Sequence, residues 1–237
     1  MCKQKKRGAI LISGVFRLMD GSLAQQLRFE NISNNLANIN TNGFKKDTLS
    51  FDKALSMNSH SRIDFSSGPI VHTGNKLDLA LEGKGFFKIQ TAAGVRYTRD
   101  GAFTLDSQGG LVTRGGEPVM GQNGPIVVSG KTIRVNREGL IADDNGPADT
   151  LAIVDFEQPH LLQKEGSSRY VYAGEQREIF TADKPNVQQS YLEKSNVNPS
   201  EEMIKMIEAY RTFESVQKAI QSMDEVTNKM VNDPDLL

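Results

Sequence analysis

Few side chains in this sequence are spaced for chemistry. Asp143 and Asp144 run into Asn145-Gly146, and such oxygen donors can attract calcium. Their spacing does not match an EF-hand loop, so the stretch reads as a polar turn. His60, His72 and His160 are scattered, with no two at i, i+4, and Cys2 is the only cysteine. Neither a His/Cys metal site nor an intramolecular disulfide is expected. The run GGEPVMGQNGP (115–125) is glycine-rich, but it lacks Gly-Lys-Ser/Thr and no helical pattern follows it. It reads as a hairpin loop, not a phosphate cradle. No Gly-x-Ser-x-Gly occurs. With no constellation for acid–base, nucleophilic or metal catalysis, the expectation is a chain that is not an enzyme and needs no cofactor.

The unusual chemistry lies in amides. The stretch NISNNLANINTN (31–42) holds six asparagines. Asn is a poor helix former because its amide competes for nearby backbone groups. Yet Phe29, Ile32, Leu36 and Ile39 continue a three–four spacing that begins at Val15 and Leu18, and Phe16, Met19, Leu23 and Leu27 form a second stripe. That periodicity predicts a helix over about residues 12–40. Gly14 and Gly21 weaken it in isolation, by about 1 kcal/mol each relative to Ala. Asn42-Gly43 is a suitable stop, with Gly43 fitted to left-handed geometry.

The far end has its own helix. Asn198 is a candidate N-cap, Pro199 suits the first helical position, and Glu201 can complete a capping box. Met206, Ala209, Phe213, Val216, Ile220, Met223, Thr227 and Met230 then recur at threes and fours, a seam of more than three heptads. A second row of Met203, Ile207 and Tyr210 widens the apolar face. From Pro199 to Met230 the helix spans about 48 Å at 1.5 Å per residue, and Pro234 ends it.

Between the helices the pattern is β. LDLALEG, FFKIQT and the stretch from Val95 to Val128 are short strand-like runs, punctuated by Asp-Gly, Gly-Gly and Asn-Gly, and TLAIVDF (150–156) is a continuous apolar strand. This predicts an antiparallel barrel or sandwich. Residues 43–70 and 176–197 show no strong period and read as connections.

Composition narrows the partners. The 237 residues carry 28 Lys+Arg against 29 Asp+Glu, a net charge of −1, with 38% hydrophobic residues and no Trp. That balance supplies no surplus of cations for nucleic acid, and no run of 18 apolar residues suggests an integral membrane span. Lys3, Lys5, Lys6 and Arg7 before GAILISGVF imitate a secretory signal. The apolar run is short, Arg17 and Asp20 follow it, and no A-x-A site closes it, so no cleaved signal peptide is expected.

Three motifs in order then carry a resemblance. GSLAQQLRFENISNNLANINTNGFKK (21–46) resembles the N-terminal signature of the flagellar rod and hook family of axial proteins. Ala24, Arg28, Glu30, Ile32, Asn34, Asn35, Leu36, Ala37, Asn38, Asn40, Thr41, Gly43, Phe44 and Lys45 match it, while Ser33 stands where the family more often has Ala. LDLALEGKGFFKIQ with YTRDGAFTLDSQGGLVT resembles the family's central β segment, and SNVNPSEEMIKMIEAYRTFE its C-terminal motif. The compact core lacks the large inserted domain that a hook protein would have, and the short length and AYRTFESVQKAI look most like the proximal-rod branch, with the distal-rod branch the alternative.

The resemblance implies an α+β fold, with long N- and C-terminal helices pairing as a coiled coil around a central antiparallel β domain. The implied division is an atypical extension (1–11), an N-terminal helix (12–42), a connecting segment (43–75), the β domain (76–175), a returning segment (176–197) and a C-terminal helix (198–232). It also implies a self-assembling, torque-transmitting tube. Partners would be copies of the same chain, other proximal and distal rod proteins and the flagellar type III export apparatus, in the basal-body rod that crosses the periplasm. Expected assembly-interface residues are Phe29, Ile32, Asn34, Asn35, Leu36, Asn38, Ile39, Met206, Phe213, Val216, Ile220 and Met223. Asparagines buried at subunit contacts would fix register. A different class, an oligomerising cell-wall-binding module, would need an exposed aromatic groove. Phe86, Phe87, Tyr97, Phe103, Tyr170 and Tyr172 read instead as core residues.

Overall fold

A computed structural model of the chain describes residues 2–50, 60–130, 132–166, 168–183 and 185–232. The side chains of Val15, Phe16, Leu18, Thr227 and Met230, and the stop expected at Pro234, lie outside the described residues. The chain divides into two compact units.

The first unit comprises residues 1–37, 47–62 and 198–237. It holds α1 (Cys2–Ala37), β1 (Asp47–Ser50) and α2 (Pro199–Asn232). Helix α1 stops at Ala37, five residues before the expected end at 42. A turn follows, with Thr41 N–H donating to Asn38 O at 3.1 Å and Thr41 Oγ1 to Asn38 Oδ1 at 3.2 Å. The chain thus leaves the α-helix through a tighter i→i+3 backbone bond, with the Thr41 hydroxyl closed onto the Asn38 amide. Helix α2 begins as the capping pattern predicts. Asn198 Oδ1 accepts from Ser200 N at 3.1 Å and Glu201 N at 3.4 Å, filling two of the orphan donors of the first turn.

The expectation of long terminal helices paired as a coiled coil around a barrel or sandwich does not hold. Among the described residues there are two α-helices, one towards each end, and the rest of the regular structure is mostly antiparallel sheet. On α2 the buried side chains are Glu202 and Ala209, while Met203, Ile204, Ile207, Tyr210 and Phe213 are exposed. A coiled coil needs an apolar layer at each a and d position. Here one of the two buried positions among the described α2 side chains is a carboxylate that must be hydrogen-bonded, so a polar anchor takes the place of a knob.

The second unit comprises residues 38–46 and 63–197. Its largest sheet has the order β13–β14–β6–β5–β12–β15, from strands Leu162–Gly166, Arg169–Tyr172, Gly94–Thr98, Phe86–Thr91, Ile153–Phe156 and Ile179–Thr181. This sheet is open, with β13 and β15 at its edges, and the remaining strands of the unit form small two- and three-stranded sheets. Side chains alternate faces along a strand. Phe87, Ile89 and Ile153 therefore join one apolar cluster with Leu79, Leu81 and Phe103. Phe86, Val154 and Phe156 join a second with Tyr97 and Tyr170. Burial on both faces explains the unbroken apolar runs FF and LAIV. Phe86, Phe87, Tyr97, Phe103 and Tyr170 are all buried and Tyr172 packs against the second cluster, so they form core and no exposed groove.

The stretch 176–197 is strand-bearing. β16 (Asn186–Gln189) pairs antiparallel with β4 (Leu79–Glu82), and β17 (Tyr191–Glu193) with β3 (Ile70–His72), setting Glu193 opposite Ile70.

Candidate assembly site

Asn35 is the centre of the first unit's polar framework, and it is buried. Its Oδ1 accepts the Asp47 N–H at 2.9 Å, and its Nδ2 donates to Asp47 O at 2.9 Å. The side-chain amide thus pairs with both backbone groups of one residue, as a neighbouring strand would. Nδ2 also reaches Glu202 Oε2 at 3.2 Å and Asn31 Oδ1 at 3.4 Å. The other Glu202 oxygen accepts from Lys205 Nζ at 2.9 Å, and Lys205 pairs with Glu201 at 2.7 Å. Burial works against the Lys205 charge, but the two carboxylates outweigh it and hold the ammonium above its usual range. Beside this framework lies a cleft of about 270 Å³ lined by Arg28, Asn31, Asp47, Glu202, Lys205 and others.

The residues expected at the assembly interface separate into three groups. Ile32 and Asn35 are buried within the unit. Leu36, Met206, Val216, Ile220 and Met223 are part-buried in the first unit, and Asn38 and Ile39 are part-buried in the second. Phe29, Asn34 and Phe213 are exposed, and Asn34 Nδ2 lies 3.3 Å from Asp47 Oδ2. Of the three asparagines singled out, Asn35 is committed to partners in its own chain and Asn38 to the turn that ends α1.

A second framework occupies the segments that flank the helices in sequence, and it lies wholly in the second unit. Lys45 Nζ donates to Glu193 Oε1 at 2.6 Å and to Ser66 O at 2.7 Å. Gly68 N–H donates to the same Oε1 at 2.8 Å, and Arg99 Nη1 to Oε2 at 3.3 Å. Arg99 also donates to the carbonyls of Leu81 and Gly83. All three charged side chains are nearly solvent-free. Burial lowers the pKa of both Lys45 and Arg99, and the Glu193 carboxylate opposes that shift at each.

Gly43 completes the clamp. Its φ is +64°, and a Cβ there would stand 2.4 Å from the backbone of Arg99 and Asp100. Its N–H donates to Glu193 O at 2.8 Å. Lys194 Nζ donates to Asn42 Oδ1 at 2.9 Å, and Asn196 Oδ1 accepts the Lys46 N–H at 2.7 Å.

Sequence reasoning placed Gly43, Lys45, Arg99 and Glu202 within motifs but did not pair Lys45 and Arg99 with Glu193, or Asn35 with Glu202. No local signal identifies these pairings. Lys45 and Glu193 are 148 residues apart, and their pairing exists only through the β3–β17 ladder. Among the described residues no group of three His, Cys, Asp or Glu side chains is placed to hold a metal, and no helix is long and apolar enough to cross a membrane.

Such an arrangement, with buried amide and ion-pair frameworks and large apolar side chains left in solvent on both helices, belongs to the class of structural proteins. Comparison with known proteins gives that class its family. Residues 19–45 match a family described as flagella basal body rod protein, residues 80–143 the D1 domain of flagellar hook protein FlgE/F/G, and residues 188–233 the C-terminal part of flagellar basal body rod FlgEFG protein. The chain is 32% identical to the flagellar basal-body rod protein FlgF of Caulobacter vibrioides, over 84% of this chain and 89% of that one. It is 30% identical to the flagellar basal-body rod protein FlgG of Bacillus subtilis, over 94% and 99%. It is 31% identical to FlgG of Borreliella burgdorferi, over 90% and 96%. The chain belongs to the flagellar basal-body rod family.

Proposed function

We propose that this chain is a structural subunit of the proximal part of the flagellar basal-body rod. It self-associates and meets other rod proteins through its terminal helices, and the resulting tube transmits torque. The observation that carries this reading is alignment with named basal-body rod proteins over nearly their whole length. Heterologous contact between like subunits extends into a helical tube where a two-fold contact would close. Nothing in this role calls for catalysis. The chain reaches the basal body through the flagellar type III export apparatus without a cleaved signal peptide.

The compact core, without a large inserted domain, sets the chain apart from a hook protein, and the stretch AYRTFESVQKAI (209–220) carries the proximal assignment. FlgG-named relatives match at similar identity, so the distal rod is the second reading. The test is purification of intact basal bodies from cells carrying an epitope-tagged chain, with gold labelling of the tag. Label on the rod segment nearest the cytoplasmic membrane supports the proximal reading, and label near the hook supports the distal one. Absence of the chain from basal bodies overturns both.

A further inference from the structure

Among the described residues, the most exposed apolar side chains of α2 are not those of the predicted seam, and on α1 Met19 and Leu23 are at least as exposed as Phe29 of the predicted stripe. On α2 they are Met203 (58%), Ile204 (58%), Ile207 (54%) and Tyr210 (62%), and on α1 they include Met19 (56%) and Leu23 (43%). At 3.6 residues per turn, Met203, Ile207 and Tyr210 form one stripe that lies roughly 80° or more around the helix from the buried Glu202 and Ala209. The seam Met206, Val216 and Ile220 follows the buried side. Beyond Tyr210 the stripe turns polar at Glu214 and Lys218, which pair at 3.0 Å. The α1 stripe ends in the same way, where Gln26 donates to Glu30 at 3.0 Å. On each helix the apolar patch is therefore closed off at one end by an i, i+4 polar pair.

We propose that these two patches are the two halves of one contact: Met19 and Leu23 of one copy seat on Met203, Ile204, Ile207 and Tyr210 of the next. This rests on the rod reading and names the surface that reading needs. Two observations select a second copy, bound head to tail. First, the patches sit at different levels of the unit. At ~1.5 Å per residue, the α2 patch is centred about 7 Å along its helix from Glu202 and the α1 patch about 21 Å along its own from Asn35. Joining them staggers successive copies, and the contact stays open for the next copy at both ends. Second, one charge beside each patch is complementary to one beside the other, with Glu208 exposed on the far side of Ile204. Asp20 is exposed next to Met19, and Arg211 is exposed beside Ile204 and Ile207. Two α2 patches face to face would instead set Arg211 against Arg211.

The test uses the full chain with Cys2→Ser as parent. Leu23→Cys and Ile207→Cys are made in separate copies and together in one copy, then oxidised in purified basal bodies and in concentrated purified protein. The expected result is a mixed Leu23→Cys/Ile207→Cys dimer from the pair of single variants and a ladder of dimers, trimers and higher species from the double variant. Both should exceed either single variant alone at least tenfold. Arg211→Glu should lower the yield, and Asp20→Lys in the same chain should restore it. Dimers of the Ile207→Cys variant alone mean a two-fold contact and overturn the proposal. So does incorporation into basal bodies with no 23–207 cross-link, which leaves the rod reading standing. If the parent is missing from basal bodies, the rod reading fails, and the purified-protein arm still decides the contact.

Discussion

Lys45 and Glu193 meet at 2.6 Å with neither side chain in contact with water, and Arg99 shares the same carboxylate. One anion serves two buried cations, so each depends on hydrogen bonds beyond the ion pair, to Ser66 O for Lys45 and to the Leu81 and Gly83 carbonyls for Arg99. A buried pair of this kind adds little net stability, but breaking it strands a charge without solvent. Its contribution is specificity: only one register of the β3–β17 ladder brings Glu193 to Lys45.

Lys45→Met leaves Glu193 with Arg99 as its cation, so it should destabilise by less than the ~3–5 kcal/mol of a stranded buried charge. Glu193→Gln should cost more, because it leaves Lys45 and Arg99 both short of a counter-charge. Urea unfolding of the purified variants, followed by far-UV circular dichroism, checks the order. Equal stability of Lys45→Met and wild type would show that the pair is dispensable.

Asn35 and Asn34 are neighbours with opposite expectations. Asn35→Ala leaves the Asp47 backbone groups and Glu202 without their partner, at a cost of about 1–3 kcal/mol. Asn35→Asp should be worse, since it sets a second carboxylate against Glu202. Asn34→Ala should stay within about 0.5 kcal/mol, as for other exposed substitutions. Thermal unfolding of the three variants separates these outcomes, and an Asn34→Ala loss as large as that of Asn35→Ala would refute the assignment.

Gly43→Ala combines a left-handed backbone with a collision against the Arg99–Asp100 peptide, and neither backbone can yield cheaply. A loss well above the roughly 1 kcal/mol of a simple αL penalty is expected. Gly116→Ala is the control. Its φ is +85°, but its Cβ would meet nothing within 4 Å. The difference between the two variants measures the close approach alone.

Two carboxyls of the second unit respond to acid with opposite sign. The Thr113 hydroxyl, working against burial, and the neighbouring Arg169 hold Glu117 below its ordinary value of 4.5. Below that value the unfolded chain takes up its proton first, so the Glu117 contribution is complete above about pH 4.5 and fades as pH falls through the folded pKa. Burial raises Asp100 above 3.8. Between that value and its folded pKa the folded state holds more protons, so its contribution falls as pH rises. Denaturation midpoints between about pH 3 and 6 should then show a shallower acid limb for Glu117→Gln and a steeper one for Asp100→Asn.

The sequence by itself determined what local forces decide. Asn198-Pro199 starts α2 because a side-chain oxygen and a fixed φ act on the adjacent turn. Gly43 takes a positive φ because only glycine adopts it freely. The alternating faces of Phe86/Phe87 and Ile153/Val154 placed those side chains in core, and the order of three motifs disclosed the family. Tertiary structure decided everything that depends on distant chain meeting. β16 and β17 were unreadable because short strands at 186–193 owe their shape to partners more than 100 residues earlier. α1 ends at Ala37 because Asn38 bonds to Thr41 and Asn35 to Asp47, choices that periodicity does not encode. The expected coiled coil failed for the same reason. A three–four spacing states which side chains share a stripe, but which stripe is covered depends on where the rest of the chain folds, and here a buried Glu202 bonded to Asn35 left Met203, Ile207 and Tyr210 in water.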